Sequence, residues 1–184
     1  RSLLANRNGR AVRFDENDVR TMGRVSTGVI GMRLDGGDDE VVGMVCVNDP
    51  SVETIMVVSE NGYGKRSEVE DYRKTARGAK GVKTLAITEK TGRLVAIKVV
   101  TDENDLMIIN KSGILIRLKV ADVRVMGRAT QGVRLINLTK KNDTIASVCK
   151  VTSSQEEDVE EAEVLNEELP ENTEHSENSE TNNE

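Results

Sequence analysis

Three sets of arginines recur at fixed intervals along this chain, and their chemistry is the first clue to what it does. Arg13, Arg66 and Arg117 are related by offsets of 53 and 51 residues, and so are Arg20, Arg73 and Arg124, and Arg24, Arg77 and Arg128. One acid travels with them, as Asp18, Asp71 and Asp122. A guanidinium is always charged and presents a rigid fork of donors that fits phosphate or carboxylate oxygens. Two readings are open. In the first, Asp18–Arg24, Asp71–Arg77 and Asp122–Arg128 pair within each unit and pin a loop, because a partly buried charge needs a partner. One acid cannot occupy three arginines, so in the second reading the remainder form a repeated array of contacts to a polyanion.

The middle unit strengthens the second reading. Lys65, Arg66, Arg73, Lys74, Arg77, Lys80 and Lys83 place seven bases within 19 residues, against Glu68, Glu70 and Asp71. Gly78 and Gly81 flank Lys80, where backbone N–H groups without Cβ atoms nearby could approach an anion. Charge is also segregated along the chain. Residues 152–184 hold 13 acids and no Lys or Arg, which leaves 19 acids against 26 bases in residues 1–151. A net charge of −6 therefore conceals a basic body and an acidic tail.

Other chemistries find little support. The single histidine, His175, lies in the acidic tail, so zinc ligation and His-based acid–base catalysis are not expected. Cys46 and Cys149 sit in apolar runs and read as buried free thiols. Gly62-Tyr63-Gly64-Lys65-Arg66-Ser67 only superficially resembles a nucleotide-binding loop. Ser59 stands where the first glycine is required, and Arg66 stands where Ser or Thr must follow the lysine. No catalytic residues and no cofactor are expected in this chain, and no apolar run is long enough to span a membrane as a helix.

The arginines are carried by three copies of one β-rich unit, at approximately residues 1–47, 54–100 and 105–151. Asn8-Gly9, Asn61-Gly62 and Ser112-Gly113 mark a hairpin in each, and Gly28-Val29, Gly81-Val82 and Gly132-Val133 close the recurring block. Before each hairpin runs an apolar stretch such as Ile55-Met56-Val57-Val58, which suits a strand covered on both faces. After the closing glycine, Met32-Arg33-Leu34, Leu85-Ala86-Ile87 and Ile136-Asn137-Leu138 alternate with period two and read as a third strand. A fourth strand ends each unit, and residues 48–54 and 101–105 connect the units. Four short strands repeated about every 50 residues predict an all-β, propeller-like fold of three four-stranded blades, forming a partial disc.

The polyanion is narrowed by what is missing. Modules that hold single strands or RNA stack bases on aromatic side chains. This chain has only Phe14, Tyr63 and Tyr72, and no basic recognition helix. Contacts to a duplex backbone remain. Bending 20–30 bp costs on the order of 1–6 kcal/mol, which several phosphate contacts on a rigid edge could offset. A protein-interaction propeller would favour Trp-containing blade motifs, and there is no Trp.

Phe14-Asp15-Glu16-Asn17-Asp18-Val19-Arg20-Thr21-Met22-Gly23-Arg24 and Val123-Arg124-Val125-Met126-Gly127-Arg128-Ala129-Thr130-Gln131-Gly132-Val133 closely resemble the blades of the C-terminal β-pinwheel of the DNA gyrase A subunit. The resemblance covers residues 1–151. It implies a six-bladed pinwheel that wraps double-stranded DNA without sequence preference, of which this chain carries the C-terminal part. It further implies a cytoplasmic, ATP-dependent negatively supercoiling enzyme, in which a homodimer of A subunits joins the gyrase B subunit in a heterotetramer. The ATP, Mg and catalytic tyrosine of that enzyme lie outside this chain. The DNA-contacting residues expected from the recurring and clustered charges are Arg13, Arg20, Arg24, Lys65, Arg66, Arg73, Lys74, Arg77, Lys80, Lys83, Arg117, Arg124 and Arg128, with Asp18, Asp71 and Asp122 as structural partners. The family's heptapeptide Gln-Arg-Arg-Gly-Gly-Lys-Gly is matched at four positions by Thr75-Ala76-Arg77-Gly78-Ala79-Lys80-Gly81, in a later blade. Topoisomerase IV, which lacks that motif, is the neighbouring alternative. Residues 152–184, too poor in apolar side chains to bury a core, are expected to be a disordered acidic tail, and two roles are open to it: solubilising the chain, or competing with DNA for the basic rim.

Overall fold

The computed structural model describes residues 1–138 and 143–152; the expected disordered tail lies outside the described residues. Among the described residues eleven strands form three antiparallel sheets. In the first repeat β1 (Ser2–Asn6), β2 (Arg10–Phe14) and β3 (Val41–Cys46) are followed, in the second, by β4 (Thr54–Ser59), β5 (Tyr63–Glu68), β6 (Val82–Lys83) and β7 (Leu94–Val100). The third contributes β8 (Asp105–Asn110), β9 (Leu115–Lys119), β10 (Val133–Arg134) and β11 (Ile145–Val151). The only helical segments among the described residues are one-turn 3₁₀ helices after β2, β5 and β9.

The hairpins are where the repeat places them. Gly9, Gly62 and Gly113 each have φ near +80° and donate N–H to the carbonyl three residues back, at 3.0–3.1 Å. That left-handed conformation is why glycine ends each turn.

Strand order within the blades departs from the expected four strands per repeat. The sheets run β3-β1-β2-β6, β7-β4-β5-β10 and β11-β8-β9. The outer strand of the first blade is β6, which belongs to the second repeat, and the outer strand of the second blade is β10, from the third. The second and third repeats thus each hand a strand back to their predecessor. The alternating stretches at Met32–Leu34, Leu85–Ile87 and Ile136–Leu138 are not strands. The pairing segment lies just before them, and Leu85 and Leu138 are buried as packing residues.

The core lies between blades. Strand β4 is buried along its whole length. Ile55 and Val57 point into a cluster with Leu3, Ala5, Tyr72 and Leu85, whereas Met56 and Val58 point into one with Leu106, Ile108 and Val120. Period-two alternation therefore gives the middle strand one apolar face for each neighbour. Full burial of such a side chain contributes roughly 1.5–3 kcal/mol, so neither face is stable without a blade against it.

The cysteines correct the sequence reading. Both are free, but Cys46 and Cys149 are exposed. They occupy edge strands β3 and β11, where the apolar run is covered on one face only: Val47 and Val148 are buried while Cys46 and Cys149 face outward.

Candidate nucleic-acid interface

The three arginine sets divide sharply by environment. Arg13 on β2 is only 6 % exposed. It reaches into the second blade, where one nitrogen donates to the carbonyls of Val69 and Tyr72, both at 2.9 Å, and the guanidinium grips Glu70 at 2.9–3.1 Å. Those carbonyls belong to the first residue of the 3₁₀ turn Val69–Asp71, where the Val69 oxygen also accepts the Tyr72 N–H, and to its C-cap. Arg66, also buried, forms an ion pair with Asp102. Arg117, which is exposed, bridges to Asp105 at 2.6 Å.

The second set staples in the opposite direction. Arg77 donates Nε–H to the Asp18 carbonyl at 3.0 Å and Nη1–H to the Ile30 carbonyl at 3.2 Å, both in the first repeat. Arg128 repeats this on Asp71, at 2.9 Å, and Lys83, at 2.8 Å. The expected Asp–Arg pairs within one unit are therefore corrected. Among the described residues Asp18–Arg24, Asp71–Arg77 and Asp122–Arg128 form no ion pairs. The aspartate contributes its backbone carbonyl to the next repeat's arginine, and the Asp18 side chain accepts from the Asp15 N–H. Spacing within a repeat could not show this, because both partners recur in every copy and the match is made between copies.

Arg20, Arg73 and Arg124 remain. All three are exposed, and among the described residues none has a salt bridge or side-chain hydrogen bond. They follow the 3₁₀ turns directly, after the C-caps Val19, Tyr72 and Val123. Those turns hold each arginine's backbone, because Val19, Tyr72 and Val123 donate back to the first turn residue at 2.9–3.1 Å. Tyr72 adds an anchor: its buried hydroxyl meets Thr84 Oγ1, and burial pushes its pKa up to about 12.

Lysines divide likewise. Lys83 is exposed and, among the described residues, unpaired; Arg24 shares that state. Lys74 bridges to Asp15 at 2.9 Å and holds that carboxyl down to about 2, and Lys80 bridges to Asp35 at 2.7 Å. Such exposed pairs contribute about 0–1 kcal/mol, so a phosphate can displace the carboxylate. The Gly78 N–H is not open to an anion, because it donates to the Gly31 carbonyl at 2.7 Å. The heptapeptide-like stretch 75–81 is thus the crossing between blades.

Lys65 is buried, and its Nζ donates to the Gly127 carbonyl at 2.7 Å. Desolvation lowers its pKa to about 8. The other repeats put Val12 and Ile116 at this position, so an apolar side chain fits the site. Below pH 8 the lysine is charged in both folded and unfolded chains, and burial costs stability. Between pH 8 and 10.5 the unfolded chain binds the extra proton, so stability rises with pH. We expect Lys65→Val to change stability at pH 7 by less than about 1 kcal/mol in the destabilising direction, and to flatten that rise. Urea titrations across the range from neutral pH to the ordinary lysine pKa check both.

Sequence reasoning did not single out Arg10 or Arg134. Arg10 pairs in register with Lys83, and Arg134 with Tyr63, whose hydroxyl it meets at 3.0 Å while its guanidinium lies 5.6 Å from the ring centroid. The handed-back strands β6 and β10 are what place Lys83 and Arg134 beside the hairpins of the preceding repeat.

The repeats and their geometry have counterparts. The family model described as DNA gyrase C-terminal domain, beta-propeller, matches residues 3–48, 53–101 and 104–149. The DNA gyrase A subunit of Staphylococcus aureus (strain NCTC 8325 / PS 47) is 47% identical over 161 residues, covering 88% of this chain and 18% of that protein. The protein of strain MRSA252 is 43% identical over 189 aligned positions, covering 95% of this chain and 21% of its own length. This chain thus spans about a fifth of these relatives. Among solved structures, a DNA gyrase A C-terminal domain superposes with TM-score 0.73 at 29% identity, over 81% of this chain and 50% of that one. A topoisomerase IV C-terminal domain reaches TM-score 0.79 at 24% identity, over 91% and 51%, a likeness of fold. With all three repeats matched, and their strands exchanged between blades, the chain belongs to the DNA gyrase C-terminal β-propeller family.

Proposed function

We propose that this chain binds duplex DNA through its phosphates and holds it bent along the blades, as part of the A subunit of DNA gyrase. The observation that carries the reading is the exposed and unpaired state of Arg20, Arg73 and Arg124, repeated once per blade. A guanidinium held on a capped turn loses little freedom on meeting a phosphate. Lys83, Arg24 and the displaceable Lys74 and Lys80 extend the same basic strip, whereas Arg13, Lys65 and Arg66 are occupied inside the fold and leave the contact list. Arg77 and Arg128 act through the blades they join.

In this reading the chain serves a cytoplasmic type II topoisomerase, with the gyrase B subunit in an A₂B₂ assembly. ATP, Mg and the cleavage chemistry are used by segments other than this one. Gyrase is favoured over topoisomerase IV by the higher identity to gyrase A subunits. Among the described residues there is no cluster of His, Cys, Asp or Glu suited to a metal, and no helix long and apolar enough to cross a membrane.

The test is duplex binding by the Arg20→Ala/Arg73→Ala/Arg124→Ala triple variant. Affinity should fall roughly 100-fold at low salt and equally for unrelated sequences. The slope of log K against log salt should become shallower by about 3. Unchanged affinity and slope would remove these arginines from the interface.

A further inference from the structure

We propose that the hollow where β10 joins β5 seats a backbone phosphate of bound duplex, with Tyr63, Lys90 and Arg134 donating to its oxygens. This rests on the duplex-binding reading above and adds to it a second line of contacts, apart from Arg20, Arg73 and Arg124.

The hollow has a volume of about 280 Å³. Tyr63, the first residue of β5, lines it and is only 6 % exposed. Two exposed cations stand over the ring. Lys90 Nζ lies 5.5 Å from its centroid and the Arg134 guanidinium carbon 5.6 Å. Arg134 donates to the phenol oxygen from Nη2 at 3.0 Å and from Nε at 3.3 Å. The oxygen is thus used as an acceptor, and among the described residues the hydroxyl proton meets no acceptor of its own. A buried donor left unused costs stability. An oxyanion in the hollow would accept that proton and meet both cations at once.

The acids nearby do not take that place. Asp143 lines the hollow, but its carboxylate accepts from Ser112 Oγ at 2.6 Å and from the Thr144 N–H at 2.8 Å. Glu89 is exposed, and neither Lys90 nor Arg134 has a carboxylate partner among the described residues.

The other junction repeats the arrangement with different residues. Lys83 lies opposite Arg10 there, as Arg134 lies opposite Tyr63 here. Like charges directly opposite on paired strands are destabilising. Arg10 has a 3.6 Å contact with Asp35, which Lys80 already holds at 2.7 Å, and Lys83 has no side-chain partner among the described residues. Stacking on Tyr63 accounts for Arg134 alone and leaves Lys83 facing Arg10 unexplained. A phosphate at each junction accounts for both, since each gathers two cations at the same point of a handed-back strand. Strand β5 runs six residues, so the seat and the turn carrying Arg73 stand at opposite ends of an element about 17–20 Å long. Duplex crossing the outer strands is then held on phosphates at both ends of each strand.

Tyr63 itself reports the test. The chain has two tyrosines, so labelling tyrosine at Cζ gives the full chain two NMR resonances. The Arg134 hydrogen bond, with Lys90 adding to it, holds the Tyr63 phenol below the ordinary tyrosine value, whereas Tyr72 titrates at about 12. Tyr63 faces Arg134 from β10, Lys90 and Glu89 from the turn before β7, and Asp143 from the segment before β11. A bound phosphate repels the phenolate and competes for both cations. A short duplex should therefore raise the Tyr63 midpoint and leave Tyr72 unmoved. Tyr63→Phe removes a hydrogen bond and no charge, so affinity at neutral pH should fall roughly 5-fold with the salt slope unchanged. Arg134→Gln, its folding verified by circular dichroism, should make that slope shallower by about 1. Duplex that binds while the Tyr63 titration stays in place, or Tyr63→Phe with wild-type affinity, overturns the seat and leaves the row of Arg20, Arg73 and Arg124 standing. Inorganic phosphate that raises the midpoint as far as duplex does, at equal phosphate concentration, assigns the hollow to a free anion and overturns the duplex assignment. Absence of duplex binding by the wild type at low salt overturns the underlying reading and the seat together.

Discussion

Replacing Gly81 by valine should cost roughly 3–5 kcal/mol, one of the largest losses available to a single substitution here. Two effects add. Gly81 has φ +78°, where a β-branched residue is strained. A Cβ there would also stand 2.4 Å from the Ala11 carbonyl oxygen and 2.6 Å from its carbon. Backbone must move to accept it, and the backbone in question is the β2–β6 pairing that joins the first two blades. Gly28→Val separates the effects, because Gly28 has φ +87° but open space around it. That variant carries the conformational strain alone, roughly 1–2 kcal/mol. At about 2–4 °C per kcal/mol for a domain of this size, Gly81→Val should lower Tm by roughly 6–20 °C and Gly28→Val by far less. Equal losses for the two would mean that the close approach between repeats contributes nothing.

Arg13→Met should be comparably damaging, by about 3–5 kcal/mol, and without effect on DNA contacts in the folded chain. Its guanidinium satisfies the Val69 and Tyr72 carbonyls inside the protein and pairs with Glu70. Methionine fills similar volume but leaves the buried Tyr72 carbonyl without this donor, the Val69 carbonyl with only the Tyr72 N–H, and Glu70 without its guanidinium. Arg13→Lys should recover only part of the loss, since an ammonium cannot reproduce a fork that serves two carbonyls and a carboxylate together. The control is again internal. Arg117, at the same repeat position, is exposed and meets Asp105 on its own blade, so Arg117→Met should cost no more than about 1 kcal/mol. Denaturant titration separates the two, and binding measured where both variants are folded should keep the wild-type salt slope. A changed slope for Arg13→Met would return it to the nucleic-acid interface.

These variants divide the recurring arginines by task. Arg13 reaches forward into the next blade, Arg66 pairs with Asp102 in the connection that follows its own blade, and Arg77 and Arg128 reach back. Arg20, Arg73 and Arg124 are left outside for a partner. The residue type is the same throughout because a planar, permanently charged donor fork serves a cluster of carbonyls as well as it serves a phosphate.

From the sequence alone came the period, the three units, the hairpin glycines, the all-β fold and the double-faced burial of Ile55–Val58. Each is local or periodic: φ > 0 selects glycine, and alternation along a strand reports its two faces. The family followed from the resemblance of residues 14–24 and 123–133 to its blades. Tertiary structure alone decided that the fourth strand of a blade comes from the next repeat, that Asp18 and Asp71 serve through their carbonyls, and that Arg13, Lys65 and Arg66 are buried. Cys46 and Cys149 turned outward for a related reason. A repeat shows which positions are equivalent but not which copy supplies the partner, because contact within a copy and contact between neighbours leave the same periodic pattern. Only the path of the chain through space, set by the need of each apolar blade face to find a second blade, distinguishes them.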